Sequence, residues 1–448
     1  MCTKTPFLLA LVAALGCSDD GNDQPTDSDT DTDSDTDSDT DTDTDTDTGP
    51  PPTACELKTP GTICRWMGIE GLAGLGVEGE DRLDTLLYSP LTVTWGPDGK
   101  AYIDDWNNHR IRVVEDDDTV RTIAGTGLIG DGIYNQKLAV NEDGPALAFA
   151  FNHLTQMVFD PADPNYMYIA AWHNSRINRV NFATGEVEYY AGTGGRTYID
   201  GVTARAAAFD LPTAIAFDDA GNKYVMDQAN QLIRMIDPAD MVTTFAGVVR
   251  SPGYSGDGLD RLATKLDASA GQTAAPSNKM VFHDGALFYV DTEVHLVRRL
   301  DLETSLITTV AGFYEPDPVL ADPNGDGIAD TQVGIGAYAG DGGPAIGARL
   351  NRPRDLAIAP DGTIYIADSD NHCIRVVDPL GTIDTFAGTC GVPGIYVPAT
   401  FPEVAPSLAD NMPATEATLY APYGVSLDAS GNVYLCDTYN NVIRVVYP

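Results

Sequence analysis

Residues 365–375 read YIADSDNHCIR, and five other stretches of the chain align with them without a gap. They read YIDDWNNHRIR (102–112), YIAAWHNSRIN (168–178), YVMDQANQLIR (224–234), FYVDTEVHLVR (288–298) and YLCDTYNNVIR (434–444). Successive copies begin 66, 56, 64, 77 and 69 residues apart. Six copies at this period are typical of a repeat architecture, in which each unit buries its apolar surface against its neighbours.

Short β-rich runs and turn residues surround every copy. Leu356-Ala357-Ile358 and the turn Pro360-Asp361-Gly362 precede the fifth copy, and Thr385-Phe386-Ala387-Gly388 follows it. Each unit therefore holds four short strands, which is the pattern of a propeller blade. We predict an all-β, six-bladed β-propeller over residues 55–448. Its blades are expected near 86–127, 150–194, 209–248, 274–313, 350–389 and 419–448, the last completed by 57–68.

The two ends of the chain predict how the ring closes. The sixth unit stops at Pro448, after its third strand. Thr62 to Gly68, ahead of the first blade, matches the fourth strand at Thr119 to Gly125. Pairing this N-terminal strand with the last blade removes an open sheet edge that would otherwise favour aggregation.

The six copies resemble the NHL repeat, named for an Asn-His-Leu run that Asn108-His109 and Asn371-His372 partly reproduce. The segments that join one blade to the next in this chain also resemble those of bacterial and teneurin-like NHL proteins. The resemblance implies radial blades. It also implies that the blade-to-blade connectors share a face with the turns between second and third strands.

The N-terminus reads as a lipoprotein signal. Lys4 precedes an apolar run of ten residues, Pro6 to Leu15, which is too short to span a membrane. Ala14-Leu15-Gly16-Cys17 resembles the bacterial lipobox, which implies a signal peptide over 1–16 and a lipid on Cys17. The alternative is ordinary secretory cleavage that leaves Cys17 unmodified. Lipidation predicts a membrane-anchored, extracytoplasmic protein of the bacterial cell envelope, at the outer membrane or the cell surface.

Residues 17–54 predict a disordered linker. Fourteen aspartates and no basic residue lie between positions 19 and 47, so the segment repels itself and buries nothing. Removing Lys4 and these aspartates from totals of 26 Lys+Arg and 66 Asp+Glu leaves 25 basic and 52 acidic residues. The remaining net charge of −27 disfavours a nucleic-acid partner, whose phosphates require a basic surface.

Recurring polar residues favour structural roles. An Asp ends the second strand in every blade except the second, where Ala171 stands. Asp in such a column usually shapes turns. His109, His295 and His372 share another column, while His153, His173 and His283 fall elsewhere. We therefore expect no histidine cluster of the kind that a zinc lyase on this fold would need.

The cysteines predict at least one disulfide. If the hairpin in blade five turns near residues 380–381, Cys390 lies within reach of Cys373. The other cysteines beyond Cys17 are Cys55, Cys64 and Cys436. Their odd total leaves one thiol unpaired or paired elsewhere.

The connectors between blades repeat an Asp, a turn, and then Ala and Leu at near-helical spacing. This pattern predicts a single helical turn that the Asp caps, the alternative being direct contact with a ligand. The aspartates concerned are Asp143, Asp200, Asp257, Asp341 and Asp410. Insertions at 313–340 and 389–409 fall on the same face, which is where repeat proteins commonly meet a partner.

One insertion contains a calcium-loop pattern, DPNGDGIAD over 322–330. It resembles thrombospondin type-3 calcium loops and the start of an EF-hand loop. Side-chain oxygens and one carbonyl at alternating positions suit a hard cation, although Val333 stands where an EF-hand has Glu. The implied ligands of a structural calcium ion are Asp322, Asn324, Asp326, the Ile328 carbonyl and Asp330.

These patterns favour a lipid-anchored recognition or adhesion protein that binds a protein or a glycan through its loop-rich face. The alternative is an extracytoplasmic lyase or hydrolase with a metal-dependent site at the channel mouth. Gly125 to Gly130 matches the dinucleotide pattern GxGxxG, but no amphipathic helix follows it.

Overall fold

The computed structural model of the protein describes residues 53–133, 143–268, 275–317, 334–394 and 410–448. The chain divides into residues 1–51 and a second unit, Pro52–Pro448, to which all of these described ranges belong. Among them, no helix combines the length and the apolar character that crossing a bilayer requires.

Six antiparallel sheets of five strands each form the blades. The inner strands are Thr92–Trp95, Leu154–Phe159, Pro212–Phe217, Met280–His283, Pro353–Ile358 and Gly424–Leu427. The second strands are Ala101–Asp105, Tyr166–Ala171, Lys223–Asp227, Ala286–Asp291, Ile364–Asp368 and Val433–Asp437. The third strands are Arg110–Val114, Arg176–Asn181, Leu232–Ile236, Leu296–Asp301, Cys373–Val377 and Val442–Val446.

The outer strands and short rim strands complete each sheet. The outer strands of blades one to five are Thr119–Ala124, Glu186–Ala191, Met241–Gly247, Leu306–Ala311 and Thr382–Ala387, and that of blade six is Thr62–Met67. The two-residue rim strands are Glu80–Asp81, Gly144–Pro145, Val202–Thr203, Leu259–Asp260, Gly343–Pro344 and Met412–Pro413. A separate pair, Gly132–Ile133 with Phe149–Ala150, lies in the connector between blades one and two.

The predicted closure is confirmed. Thr62–Met67 pairs with the third strand of blade six, with Ile63 opposite Val446 and Cys64 opposite Val445. The inner strands contact one another in ring order, including the first and the sixth. The six-bladed, all-β prediction is therefore correct, and the last blade has no open edge.

Apolar side chains between neighbouring blades form the core. Ile111 and Tyr102 of blade one pack with Met157 and Met167 of blade two, and equivalent clusters fill the other junctions. Because each blade buries one face against each neighbour, the ring is the stable unit.

Single turns of 3₁₀ helix occur at two kinds of place in the blades, and we call the end that carries the turns between second and third strands the upper face. Five follow the second strands, at Trp106–Asn108, Gln228–Asn230, Thr292–Val294, Ser369–Asn371 and Thr438–Asn440. Four lie in connectors, at Ala146–Ala148, Ala204–Ala206, Ala345–Gly347 and Ala414–Glu416. The lower face carries the turns between inner and second strands and between third and outer strands.

Two disulfides are present, Cys373–Cys390 and Cys55–Cys64. The first joins the third strand of blade five to the residues after its outer strand. The second ties the chain ahead of the closing strand to that strand itself. Cys436 is buried and belongs to neither disulfide.

Candidate functional site

The Asp column at the end of the second strands holds the connectors in place. One carboxylate oxygen of each Asp accepts a backbone N–H from the connector entering its own blade, at 2.7–2.8 Å. The other oxygen lies 2.8–3.9 Å from an arginine on the third strand, whose side chain is fully buried in every case. The pairs are Asp105–Arg112, Asp227–Arg234, Asp291–Arg298, Asp368–Arg375 and Asp437–Arg444. We call them the axial pairs.

The connector aspartates have a framework role different from the one predicted. The helical turns exist, but the prediction that these aspartates cap them is wrong, because the residues at the N-caps are Pro145, Thr203, Pro344 and Pro413, with no side-chain cap bond. Each aspartate instead accepts a backbone N–H from the outer strand of its blade, next to an irregularity in the ladder. The bonds are Tyr189–Asp143, Thr244–Asp200, Thr309–Asp257, Thr385–Asp341 and Arg65–Asp410.

Three of these aspartates also contact the buried arginines. Asp200 is 2.8 Å from Arg234 and Asp257 is 3.0 Å from Arg298, while Asp341 pairs with Arg375. The connector aspartates are thus engaged with the framework, and their contacts give no sign of a shared ligand site.

A third column links each blade to the next. The residue after the second-strand turn accepts a backbone N–H at 2.8–3.2 Å from the connector of the following blade. We call these bonds the blade latches. They are His109 to His153, Gln231 to Ala268, His295 to Arg352, His372 to Ala421 and Asn441 to Ser89.

Blade two departs from the axial-pair and blade-latch columns, although Asp143 keeps the connector-aspartate bond to the Tyr189 N–H. Ala171 and Asn178 replace the Asp and Arg of the axial pair, and Ser175 replaces the latch residue. Ser175 Oγ has no hydrogen-bond partner among the described residues. Asn174 partly compensates, because its Oδ1 accepts the Asn152 N–H at 2.9 Å.

The same region gathers three histidines, so the expectation that the histidines stay apart is wrong for this part of the ring. The ring centroids of His109 and His153 are 4.4 Å apart, and those of His153 and His173 are 4.9 Å apart. The Nδ1 atoms of His153 and His173 lie 3.1 Å apart. His109 approaches because its blade latch reaches His153, a contact between blades that the aligned repeats do not reveal.

Two tryptophans complete this group, which we call the blade-two cluster: Trp106, His109, His153, Trp172 and His173. Trp172 stacks on His173 with centroids 3.9 Å apart, and Trp106 lies 4.7 Å from His153. Trp106, His153 and His173 are partly exposed on the upper face. The cluster therefore presents aromatic surface to solvent.

Burial keeps the imidazoles neutral. It lowers the pKa of His153 to about 3 and that of His109 to about 4, and the neighbouring rings add to both shifts. The pKa of His173 is lowered for the same reason, with Arg196 contributing. At pH 7 the rings are accordingly hydrogen-bonding groups and potential ligands.

Tyrosines extend this aromatic surface on blade six. Tyr439 is 47% exposed, and its hydroxyl lies 3.1 Å from that of Tyr423. Tyr420 packs against Tyr439 with centroids 5.2 Å apart. Tyr420, Tyr423 and Trp106 belong to one apolar cluster, together with Leu91 and Ala421. The blade-six tyrosines and the blade-two cluster therefore form a continuous surface, which we call the aromatic arc.

The central channel offers a cavity of about 430 Å³, lined by inner strands. Its buried polar groups brace the strands. Gln156 Oε1 accepts the Ile215 N–H at 3.0 Å, and the Asp355 carboxylate accepts the N–H groups of Leu356 and Val425 at 2.8 and 3.2 Å.

Several predicted positions lie outside the described residues. They are Cys17 and the calcium-loop residues Asp322, Asn324, Asp326, Ile328 and Asp330, together with parts of both insertions. By contrast, the predicted pair Cys373–Cys390 is joined in the structure.

Comparison with known families agrees with this architecture. The NHL repeat matches residues 350–377, in blade five, and the teneurin NHL domain matches residues 75–252, which hold blades one to three. The chain is an NHL-repeat β-propeller. This NHL propeller has the radial blades and upper-face connectors that the repeat implies.

Its relatives are larger proteins. The NHL propeller is 27% identical over 312 residues to SUPPRESSOR OF QUENCHING 1, chloroplastic, of Arabidopsis thaliana, covering 68% of this chain and 26% of that protein. It is 27% identical over 391 residues to Teneurin-1 of Caenorhabditis elegans, covering 82% of this chain and 13% of that protein. The chain thus spans about a quarter or less of the length of these relatives.

A solved structure shares the fold. A structural genomics protein of unknown function from Bacteroides thetaiotaomicron aligns with a TM-score of 0.57 at 15% identity, over 86% of this chain and 74% of that chain. At this identity the likeness concerns the fold alone.

One sequence signal could have located the aromatic arc. The fifth position of the repeated motif is Gln228, Thr292, Ser369 or Thr438 in four blades, but Trp106 and Trp172 in the first two. In three of those four blades the hydroxyl donates to a carbonyl of the next blade, at 2.6–2.9 Å. Most residues in this column form hydrogen bonds to the next blade. Two tryptophans in adjacent blades therefore indicate positions whose side chains have a role other than joining neighbouring blades.

Proposed function

We propose that this NHL propeller is a recognition protein of the bacterial cell envelope, anchored by a lipid on Cys17, that binds a protein or a glycan on its upper face. The observation that carries the proposal is the aromatic arc. Two tryptophans replace inter-blade hydrogen-bonding residues there, and exposed aromatic side chains such as Tyr439 are among those that binding surfaces favour.

Charge supports a partner that is not a nucleic acid. The chain carries a net charge of −40, and the aromatic arc adds three imidazoles whose lowered pKa values leave them uncharged at pH 7. A neutral aromatic surface on an acidic molecule suits a sugar or a mixed protein surface. In this proposal the acidic linker holds the propeller away from the membrane. The calcium loop at 322–330 would order an insertion on the same face.

Binding of the full chain to glycan and protein arrays, with and without calcium, tests the proposal. Tyr439→Ala removes the most exposed ring of the aromatic arc and should weaken binding by about tenfold. Leu380→Ala is the matched control, since Leu380 is 93% exposed on the lower face. Equal effects of the two variants, or no ligand on either array, would count against an upper-face recognition site.

An extracytoplasmic lyase or hydrolase is the alternative function. The His153–His173 pair favours it, because neutral imidazoles can hold a metal ion or move a proton. Mass spectrometry of a ligand recovered after prolonged incubation separates the two functions. An unchanged mass supports recognition, whereas a cleaved or eliminated product supports catalysis.

A further inference from the structure

We propose that His153 and His173, with Asn152, form a binding site for a divalent transition metal ion of the Zn²⁺, Ni²⁺ and Cu²⁺ class. The site lies on the upper face at the junction of blades one and two. It does not depend on the proposed recognition function.

The donor atoms already have metal-ligand spacing. His153 Nδ1 lies 3.1 Å from His173 Nδ1 and 2.9 Å from Asn152 Oδ1. Two nitrogens bound at about 2.0–2.1 Å to one tetrahedral ion are about 3.3 Å apart. The two rings therefore need to separate by only a few tenths of an ångström. Two imidazoles and an amide oxygen would leave a fourth position for water or a ligand.

Backbone bonds hold the two histidines in register. The Trp172 N–H donates to the His153 carbonyl at 3.0 Å, and the His173 N–H donates to the Asn152 carbonyl at 3.2 Å. These bonds continue the ladder between the inner and second strands of blade two, where Leu154 pairs with Ala171. Because both residues extend adjacent paired strands, their spacing is set before any metal arrives.

Contacts from two neighbouring turns fix the third donor and the position of His153. Asn174 Oδ1 accepts the Asn152 N–H at 2.9 Å, and Asn174 Nδ2 donates to the Gly130 carbonyl at 2.8 Å. The blade latch from His109 Nδ1 accepts the His153 N–H at 3.2 Å. In known metal sites, hydrogen bonds from surrounding residues orient the side chains that bind the metal.

The charge state and the surroundings favour a cation. Metal ions bind the neutral imidazole, and burial lowers the pKa of both rings, so no proton competes at pH 7. The net charge of −40 raises the local concentration of cations around the protein. Imidazole also selects this class of metal over Ca²⁺ and Mg²⁺, which prefer oxygen ligands.

The blade-two cluster supplies its own reporter. Trp172 stacks 3.9 Å from His173 and Trp106 lies 4.7 Å from His153, so Ni²⁺ or Cu²⁺ bound there should quench their fluorescence. The remaining tryptophans, Trp66 and Trp95, pack with Tyr434 in another core cluster. Zn²⁺, which does not quench in this way, should reverse the loss by competition.

The test is a titration of the full chain with Ni²⁺, in which tryptophan fluorescence emission is the measured signal. We expect saturable quenching that Zn²⁺ reverses and that excess Ca²⁺ leaves unchanged, since Ca²⁺ prefers oxygen ligands to imidazole nitrogens. His153→Gln and His173→Gln should each weaken Ni²⁺ binding at least about tenfold, because losing even an outer-shell partner commonly costs that much.

His283→Gln, on the lower face, is the matched control and should bind Ni²⁺ as the unaltered chain does. Circular dichroism of each variant separates loss of the site from loss of the fold. Quenching that does not saturate, that Ca²⁺ abolishes, or that both cluster variants retain would overturn the assignment. The two rings would then form only a hydrogen-bonded pair.

Discussion

Blades two and six are held together by different contacts. Blade six has an axial pair, Asp437–Arg444 at 2.8 Å, and a blade latch from Asn441, but it takes its outer strand from the far end of the chain. Blade two is built from four consecutive strands and has neither an axial pair nor a blade latch. The blade closed by a distant segment therefore has both an axial pair and a blade latch, whereas blade two lacks both and keeps the bond from the Tyr189 N–H to its connector aspartate, Asp143.

This difference suggests where the ring tolerates change. A continuous blade packed between two neighbours keeps its register without the axial pair, because both of its faces are buried. Trp172 and His173 lie between the altered positions Ala171 and Ser175, and the neighbouring connector carries His153. The blade-two cluster thus joins side chains of this blade to Trp106 and His109 of blade one, across the junction that the His109 latch spans.

The largest effect should come from breaking the closure of blade six. Deleting residues 55–68 removes its outer strand together with the Cys55–Cys64 disulfide, and exposes the edge of Val442–Val446. We expect the truncated chain to melt more than about 10 °C lower, or to aggregate. Deleting residues 27–48, in the acidic linker, is the control, and similar melting of both truncated chains would contradict the role of this strand.

The second effect compares one position in the two blades. Arg444 is fully buried against Asp437, so Arg444→Met leaves a buried carboxylate without its counter-charge and should cost about 3–5 kcal/mol. Asn178 is the equivalent residue in blade two, and its side-chain amide has no hydrogen-bond partner among the described residues. Asn178→Ala should therefore change stability by less than about 1 kcal/mol. Urea unfolding of both variants measures the difference, and equal losses would refute the contrast.

Periodicity predicted the ring, since six copies in register specify the blades and the ends of the chain specify their closure. The motif also located the framework columns around Asp368 and Asn371. It could not assign their backbone partners, because these lie in the connectors and outer strands, outside the aligned motif. The connector aspartates were predicted as helix caps for this reason, and the outer-strand N–H of Thr244 or Thr385 is what they bind.

The histidine cluster was missed for a related reason. His109 belongs to the latch column, whereas His153 precedes an inner strand and His173 lies in a turn, so no single motif contains all three. They meet because a blade latch crosses the junction between two blades. Contacts of this kind follow from the packing of neighbouring repeats, and sequence spacing within one repeat does not encode them.

A third test concerns the blade latches. Gln231 is 1% exposed and makes two bonds of 2.8 Å to the backbone of Ala268. Gln231→Ala leaves both groups without this partner and should cost about 1–3 kcal/mol in chemical denaturation. Ser175→Ala, at the equivalent place in blade two, removes a hydroxyl that bonds to none of the described residues and should cost less than about 0.5 kcal/mol. A cost for Ser175→Ala as large as that for Gln231→Ala would show a latch at this junction.

The smallest expected effect is a pH dependence that belongs to blade two. Burial lowers the pKa of His153 to about 3, whereas the same side chain in the unfolded chain titrates near its ordinary value of 6.5. As pH falls through 6.5, His153 takes up a proton in the unfolded chain but stays neutral in the folded chain. The stability that His153 contributes is complete above pH 6.5 and is lost progressively down to pH 3.

The measurement is the free energy of unfolding at several pH values for the unaltered chain and for His153→Gln. Buried carboxyls such as Asp105 and Asp227, whose pKa burial raises to about 6, titrate in the opposite sense, so only the difference between the two proteins isolates His153. Because the ring is partly exposed, solvent screening reduces its effect. The unaltered chain should lose about 1 kcal/mol more than the variant between pH 6.5 and 5. Parallel profiles would mean that His153 takes up its proton as readily in the folded chain as in the unfolded one, and that the blade-two cluster does not hold it neutral.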